Sequence, residues 1–193
     1  MNATAQIDNK RAGNTQASVA STAKTVVEQA QYLTFMLGGE LFAIGILGIK
    51  EIIEYDGLTE VPMMPECIRG VINMRGAVVP VMDLSARFGK NVTAITRRTC
   101  IVIVEIEADG GHHDMGVIVD AVNAVLEIPS SEIEPAPAFG AKIRTDFIEG
   151  MGKVNGKFVI LLNVNQVLSP EEIGALSQAG DSAPVAAETM GAV

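Results

Sequence analysis

The stretch GVINMRGAVVPVMDL, residues 70–84, places one basic residue inside a long apolar run. Arg75 precedes Gly76, and the valines that follow have the β-branched side chains that favour strands. The stretch therefore predicts a β-hairpin with Arg75 at its tip. An exposed turn arginine is either simply solvated or part of a binding surface. The rest of the sequence is needed to choose between a solvated turn residue and a binding residue.

Composition limits the classes of protein to which the chain can belong. It has 193 residues, of which 48% are apolar and 19% charged, enough to bury a core in one domain or two very small ones. A net charge of −9 argues against a nucleic-acid-binding surface and against a polybasic membrane anchor. No apolar run reaches the roughly 18 residues of a membrane span.

The two cysteines indicate the compartment. Cys67 and Cys100 lie 33 residues apart and form no CxxC pattern. The first thirty residues contain no continuous apolar segment after a basic start, so a secretory signal is not expected. Unpatterned cysteines without a signal predict reduced thiols in the cytoplasm.

Between two polar termini the pattern is that of strands joined by tight turns. Gly38-Gly39 and Asn155-Gly156 are hairpin signals, because these residues tolerate positive φ. A third hairpin with a longer tip is expected around ADGGHHDM. DLSARFG, residues 83–89, predicts a short helix closed by Gly89.

The termini themselves are predicted to contribute little to the core. Residues 1–30 and 179–193 have few large apolar side chains, so we expect flexible tails there. The segment SPEEIGAL has Ser169 as a helix cap, followed by proline and, three residues after the cap, a glutamate. It predicts a C-terminal helix over 169–178.

The chain also resembles itself. Residues 68–84 align without a gap on 148–164, an offset of 80, and residues 42–53 align on 115–126 by apolar class, an offset of 73. The seven extra residues fall within 127–147. These offsets predict two similar β lobes of about five short strands, about 32–90 and 97–168, each a closed or nearly closed small barrel. Chance similarity between apolar strands is the alternative.

None of the usual signatures of catalysis is present. His112 and His113 are adjacent, so in a strand they point to opposite faces and are poorly placed to share a metal. GMGKVNG lacks the spacing of a phosphate loop, and no GxSxG elbow occurs. We therefore expect no enzyme, no metal site and no cofactor.

What remains is a surface for partners. Arginine is enriched at interaction hot spots, where its planar fork pairs with carboxylates, and Glu51 is a candidate partner for Arg75. Phe139 lies in a proline-bounded loop within the lengthened region. It either tucks under its own loop or serves as an exposed anchor.

The opening stretch, extended to IRGVINMRGAVVPVMDLSARFG, closely resembles the signature of CheW-like chemotaxis adaptors, I-x-G-V-x-N-x-R-G-x-V-x-P-V-x-D-L. FAIGILGIKEII, VPMMPECI, GVIVDAV and IEGMGKVNGKFVILLNV also match. The resemblance covers about 32–168 within an expected CheW-like domain of 31–168. It implies a mostly β protein, with two five-stranded SH3-like barrels packed around a shared hydrophobic core.

The resemblance also implies a function. Such adaptors couple methyl-accepting chemoreceptors to a histidine kinase whose regulatory domain shares the fold, and the receptor's helical tip docks between the barrels. Carried over by motif, the expected receptor-binding residues are Ile49, Glu51, Gly70, Arg75, Cys100 and Val125. Val78 and Phe139 would contact the kinase or neighbouring adaptors in rings. Cys100 departs from the aliphatic residue expected at its position.

Two alternatives stay open at this point. The same module could serve a receptor–kinase pathway other than chemotaxis, such as surface motility. Alternatively, the cleft between the lobes could hold a small ligand or substrate. The leading hypothesis is a cytoplasmic adaptor recruited to membrane receptor arrays.

Overall fold

The structure is a computed structural model, and it describes residues 29–108, 110–137 and 143–169. Strands dominate these residues, which confirms the mostly β prediction. The strands are β1 (Gln29–Leu37), β2 (Glu40–Gly45), β3 (Ile49–Glu54), β4 (Ile68–Met74), β5 (Ala77–Asp83), β6 (Cys100–Ala108), β7 (Gly111–Val119), β8 (Ala121–Pro129), β9 (Ile133–Glu134), β10 (Ile148–Val154) and β11 (Lys157–Leu162). Two short helices are α1 (Leu84–Arg87) and α2 (Val164–Val167), and 3₁₀ turns span Ile46–Gly48, Ser130–Glu132 and Thr145–Phe147.

The described strands form two sheets. One has the order β8-β1-β2-β11-β10-β9, and the other has the order β3-β6-β7-β5-β4. This arrangement is consistent with the two SH3-like barrels that the resemblance implied. The predicted hairpins are present: Gly38 and Gly39 connect β1 to β2, and Asn155 and Gly156 connect β10 to β11, all four with positive φ.

The internal repeat is confirmed by the strand registers. In the parallel pair β5–β7, Val81 lies opposite Gly116. In the parallel pair β11–β2, Leu161 lies opposite Ala43, which is the same pairing displaced by the offsets of 80 and 73. The irregularity between Ile68 and Gly70 in β4 likewise recurs 80 residues later in β10. The two sheets are thus equivalent, strand for strand, apart from the additional short β9.

The boundaries of the two sheets differ from the predicted lobes of about 32–90 and 97–168. Strands β1 and β2 belong to the sheet of β8–β11, whereas β6 and β7 belong to the sheet of β3–β5. The chain crosses between the sheets in the 3₁₀ turn after β2, and the parallel pairs β11–β2 and β5–β7 attach each exchanged hairpin. Each half of the chain therefore supplies its first hairpin to the sheet of the other half.

The hydrophobic core lies between the sheets, as expected for a shared core. Its largest cluster draws on β1, β2, β6 and β7 together with both helices. Among its most deeply buried members are Phe35, Leu37, Phe42, Ile44, Met82, Leu84, Val102, Val104, Val117 and Val119. A smaller cluster fills each sheet on its other face. Alternation along the strands explains this, because successive side chains of β6 point to opposite faces.

The predicted short helix after β5 is α1, and its cap also fixes the following loop. The buried Asp83 carboxylate accepts hydrogen bonds from the backbone N–H groups of Ser85 and Ala86, which caps the helix. It also accepts from the backbone N–H of Thr93 at 2.7 Å and from the Thr93 hydroxyl at 2.9 Å. One carboxylate therefore holds both the helix and the connection toward β6.

Helix α2 was not predicted, although it lies 80 residues after α1 and is capped by Asn163 at the position equivalent to Asp83. The predicted helix over 169–178 lies outside the described residues except for Ser169. The same holds for the predicted tail of 179–193. Of the predicted tail of 1–30, only residues 29 and 30 are described, and they begin β1.

Candidate partner-binding site

Arg75 lies at the tip of the β4–β5 hairpin, as the sequence predicted. Its φ is 52° and that of Gly76 is 90°, so both turn residues adopt the left-handed conformation. The Asn73 side chain accepts a hydrogen bond from the Gly76 N–H at 3.0 Å, which closes the turn. For a residue with a Cβ this backbone conformation costs about 1 kcal/mol, and asparagine tolerates it better than arginine.

The side chain of Arg75 reaches a carboxylate on β3, which lies at the other end of the strand order of the same sheet. Arg75 Nη2 donates to Glu51 Oε2 at 3.0 Å, which confirms the predicted pairing. A bulge in β3 sets the direction of the Glu51 side chain. Lys50 has no opposite residue in the strand register, because Ile49 lies opposite Val104 and Glu51 lies opposite Ile103. The Arg75 side chain is 84% exposed and that of Glu51 37%, so the ion pair faces solvent.

The second repeat has the same backbone without these charges. Asn155, the counterpart of Arg75, has a φ of 50° and occupies the same hairpin position. Ala124 is the counterpart of Glu51 by the offset of 73, next to an equivalent irregularity in β8. The fold therefore forms this turn and bulge without an ion pair. The charges of Arg75 and Glu51 need an explanation other than folding.

The other predicted receptor contacts occupy different parts of the structure. Ile49 and Cys100 are half-buried at the margin of the shared core, on the adjacent strands β3 and β6. Val125 is 48% exposed on β8 in the other sheet. Arg75 and Glu51 are thus in direct contact, Ile49 and Cys100 lie at opposite ends of the β3–β6 pair, and Val125 belongs to the other sheet.

Gly70 has a structural role that limits what it can contribute to binding. It is buried, its φ is +147°, and a Cβ built on it would lie 2.4 Å from the backbone oxygen of Thr59. Backbone hydrogen bonds join Thr59 and Val71 in both directions beside it. Gly70 can therefore support a binding surface through β4, but it offers no side chain to a partner.

Val78, the predicted array contact, is 69% exposed on β5. It lines a cavity of about 480 Å³ together with residues of β7, including His112 and His113. Both histidines are exposed, as predicted, but the longer hairpin tip expected around them is wrong, because they lie in β7 and the β6–β7 pairing continues to Ala108 and Gly111. Lys50 on the same cavity wall lies 2.6 Å from Asp114 and 2.6 Å from Glu105, and these two carboxylates raise its pKa. Phe139 lies outside the described residues.

One exposed residue was missed by the sequence reasoning. Leu47, in the 3₁₀ turn where the chain crosses between the sheets, has a fully exposed side chain. It lines a groove of about 790 Å³ beside the start of β1. No signal in FAIGILGIKEII could have singled it out, because almost every residue in that segment is apolar and periodicity fails at the turn.

The described residues also limit the chemistry available. They contain no group of three or more histidine, cysteine or acidic side chains placed to hold a metal ion. Cys67 is buried and Cys100 half-buried, both as free thiols. None of the described helices has the length and apolar character needed to cross a membrane.

Comparisons with known proteins agree with the fold and the motif. Residues 31–172 match the family model described as the CheW-like domain. The chain is 32% identical to the chemotaxis protein CheW of Klebsiella aerogenes, over 86% of this chain and 97% of that protein. It is 27% identical to protein FrzA of Myxococcus xanthus, over 72% of this chain and 86% of that protein.

A solved structure shows the same architecture. The scaffolding protein TtCheW from Thermoanaerobacter tengcongensis superposes with a TM-score of 0.67 and 34% sequence identity, covering 74% of this chain and 94% of that one. The resemblance seen in the motif around Arg75 is thereby confirmed over nearly the whole of the described chain. This chain belongs to the CheW-like family.

Proposed function

We propose that this protein is a non-catalytic chemotaxis adaptor that couples methyl-accepting chemoreceptors to a histidine kinase within signalling arrays. Family membership supports this function, since a relative covered almost end to end is a chemotaxis protein. The observation that carries the proposal is the Arg75–Glu51 ion pair. It is exposed, it occupies a strained turn, and the equivalent turn of the second repeat does without it.

The receptor contact is proposed around this pair, where β3 and the β4–β5 hairpin, at opposite ends of the strand order of one sheet, approach each other. An exposed ion pair adds little to stability, but it can orient and select a polar partner. Ile49 would supply apolar contact beside the charges, and Cys100 would do so from the far end of the β3–β6 pair. Gly70 would hold β4 in place, and Val125 would contribute from the other sheet. The occupant is the helical tip of a chemoreceptor.

The kinase and array contact is proposed at Val78, with Phe139 as a second anchor carried over from the family resemblance. A β-branched side chain with most of its surface exposed is well suited to an apolar contact. Val78 lies three residues from Arg75, so the β4–β5 hairpin would connect the receptor contact to the kinase contact. Other adaptor copies in a ring are the remaining partners on this surface.

Coupling requires more than simultaneous binding. For the adaptor to change kinase activity, it must bind one state of the kinase more tightly than the other, and that preference must depend on the receptor. No cofactor or catalysed reaction is needed for this. In this proposal the protein acts in the cytoplasm and is recruited to membrane arrays through its receptor contact.

The decisive experiment is kinase autophosphorylation with receptor signalling fragments, the kinase and this protein. Activation that requires all three components and falls with Arg75→Ala supports coupling through the proposed site. Asn155→Ala is the matched control, because it changes the equivalent turn of the second repeat without touching the ion pair. Equal activation by wild type and Arg75→Ala would contradict the proposed site. Failure to bind either partner would contradict the proposed function.

A second candidate function is the same scaffold in a receptor–kinase pathway other than chemotaxis, such as surface motility. The match to FrzA favours keeping it, because that relative's name carries no chemotaxis label. Affinity purification of the tagged chain from its own cells separates the two, since they differ only in the receptor and kinase recovered.

A further inference from the structure

The bulge in β3 places two consecutive side chains on one face of the sheet. Glu51 lies opposite Ile103, whereas the Lys50 side chain contacts Glu105, two residues further along β6. Residues two apart on a strand share a face, so Lys50 and Glu51 both point to the face of Ile103 and Glu105. Regular alternation would send these two side chains to opposite faces. The direction of Glu51 toward Arg75 therefore depends on how the bulge is held.

Two carboxylates hold the bulged residue in place. Lys50 Nζ lies 2.6 Å from Glu105 Oε2 on β6 and 2.6 Å from Asp114 Oδ1 on β7. Glu105 and Asp114 lie directly opposite each other in the β6–β7 register, so Lys50 bridges two like charges that would otherwise repel. Asp114 Oδ1 is shielded from solvent, and this ion pair is its only polar contact among the described residues. The bridge thus ties the bulge to two further strands of its sheet.

The equivalent bulge in the second repeat is held by a different contact. In β8 the strand register leaves Asn123, the counterpart of Lys50, without an opposite residue. There the Thr34 hydroxyl donates to the Ala124 carbonyl oxygen at 2.7 Å and accepts from the Ala124 N–H at 3.2 Å. The first repeat has Ile103 at the position of Thr34, and isoleucine has no hydroxyl. The bulge of β3 is therefore held by the ion pairs of Lys50 where the bulge of β8 is held by a hydroxyl.

We propose that Lys50 is the positioning residue of the candidate receptor site. Its bridge to the two carboxylates fixes the β3 bulge, and the bulge directs Glu51 toward Arg75. Without the bridge the bulge is freer to move, and Glu51 spends less time in the orientation that reaches Arg75. The positioning role concerns the chain alone, whereas its consequence for binding rests on the proposed function.

The first test uses the full-length chain without any partner. Lys50→Met removes the charge but keeps the length of the side chain. Amide hydrogen exchange at residues 49–52 should then become about two- to fivefold faster, because a solvent-exposed ion-pair bridge is lost. The denaturation midpoint should change little, so the effect is local. Lys50→Arg keeps the positive charge and should keep the slow exchange.

Asn123→Ala is the matched control, because it changes the equivalent residue of the bulge that the Thr34 hydroxyl holds. It should leave exchange at residues 49–52 unchanged. The proposal is overturned if Lys50→Met exchanges at the wild-type rate in this segment, or if Asn123→Ala accelerates exchange there equally.

The second test is a double-mutant cycle in the binding of a receptor signalling fragment. Lys50→Met should weaken binding by about two- to fivefold. If Lys50 acts through Glu51, the loss caused by Glu51→Ala should be smaller in the Lys50→Met background than in the wild type. Fully additive losses would mean that Lys50 contacts the receptor directly, which contradicts a positioning role. If the wild type binds no receptor fragment, the proposed function fails, and the exchange measurement alone decides the role of Lys50.

Discussion

Arg87 and Val167, which occupy equivalent positions in the two repeats, are hydrogen-bonded to each other: Arg87 Nε donates to the Val167 carbonyl oxygen at 2.9 Å. A residue can contact its own counterpart only close to the axis that relates the two repeats. Helices α1 and α2 therefore lie near the pseudo-twofold axis between the sheets. Arg87 also stacks on the Phe147 ring, with Cζ 4.8 Å from the ring centre. This contact ties the two halves of the chain together at the margin of the shared core.

The first prediction concerns that contact. Arg87→Ala removes the charged donor to Val167 and one cation on Phe147, so the free energy of unfolding should fall by about 1–3 kcal/mol in urea denaturation. Arg87→Lys keeps the charge without the planar fork and should lose most of the same stability. Full stability in Arg87→Ala would show that the contact between the repeats is incidental.

The second prediction concerns the buried carboxylate of Asp83. Asp83→Ala leaves the N–H groups of Thr93 and Ser85 without their acceptor, so unfolding should become easier by about 2–4 kcal/mol. Asn163→Ala, at the equivalent cap, loses one hydrogen bond and should cost about 1 kcal/mol. Thermal denaturation of both variants measures the difference, and equal losses would contradict the extra role of Asp83.

The third prediction concerns the ion pair. Arg75→Glu and Glu51→Arg should each abolish receptor binding through like-charge repulsion, and the double exchange should recover it. Stability should change by less than about 1 kcal/mol in every variant, because the pair faces solvent. Titration against a receptor fragment measures binding. A double variant as weak as either single one would mean that the two charges act separately.

The fourth prediction distinguishes two equivalent glycines. Gly70→Ala places a Cβ against the backbone of Thr59 at positive φ and should cost more than about 2 kcal/mol of stability. Gly150→Ala meets the Ile133 Cγ2 methyl at 2.7 Å and the Glu134 backbone oxygen only at 3.1 Å, and Gly150 does not have a positive φ, so the loss should be smaller. Denaturation midpoints decide the order. If Gly150→Ala proves the more damaging, backbone contact is not what constrains Gly70.

The fifth prediction is a pH dependence. Burial raises the pKa of the Cys67 thiol above its ordinary value of 9.0, so the folded state retains a proton that the unfolded chain loses. The stabilisation by neutral Cys67 is complete below that ordinary value and declines as pH rises toward the folded pKa. Denaturation between pH 7 and 10 should show this alkaline decline, and Cys67→Ala should reduce it. An unchanged slope in Cys67→Ala would assign the decline to other groups.

Much of the fold could be predicted because its signals are local. Glycine and asparagine pairs mark the hairpins, and the offsets of 73 and 80 recur in the pairings of Val81 with Gly116 and of Leu161 with Ala43. The exchange of hairpins could not be predicted. It depends on parallel pairing between strands that are far apart in the chain. The sequence of an apolar strand does not indicate which strand it will pair with.

The candidate site shows the same difference between features with a local sequence signal and features that depend on the path of the chain. The contact between Arg75 and Glu51 was anticipated, because an arginine in an apolar hairpin requires a carboxylate or solvent. Leu47 was not, since only the path of the chain at the turn after β2 decides that it points outward. Gly70 was expected to belong to or support the binding surface, which stays a prediction, and its close approach to Thr59 shows in addition a backbone requirement that the motif alone did not reveal.

The exchanged hairpins bear on how such a chain could have arisen. Each half contains all five equivalent strands, but each sheet is complete only with β1–β2 or β6–β7 from the other half. A single repeat would reach closure by trading its hairpin with an identical copy, which is how domain-swapped homodimers form. The protein has the architecture expected from duplication and fusion of such a swapped dimer. Within one fused chain, one repeat can carry charges at positions 51 and 75 while the other has alanine and asparagine, an asymmetry that a homodimer of identical chains does not permit.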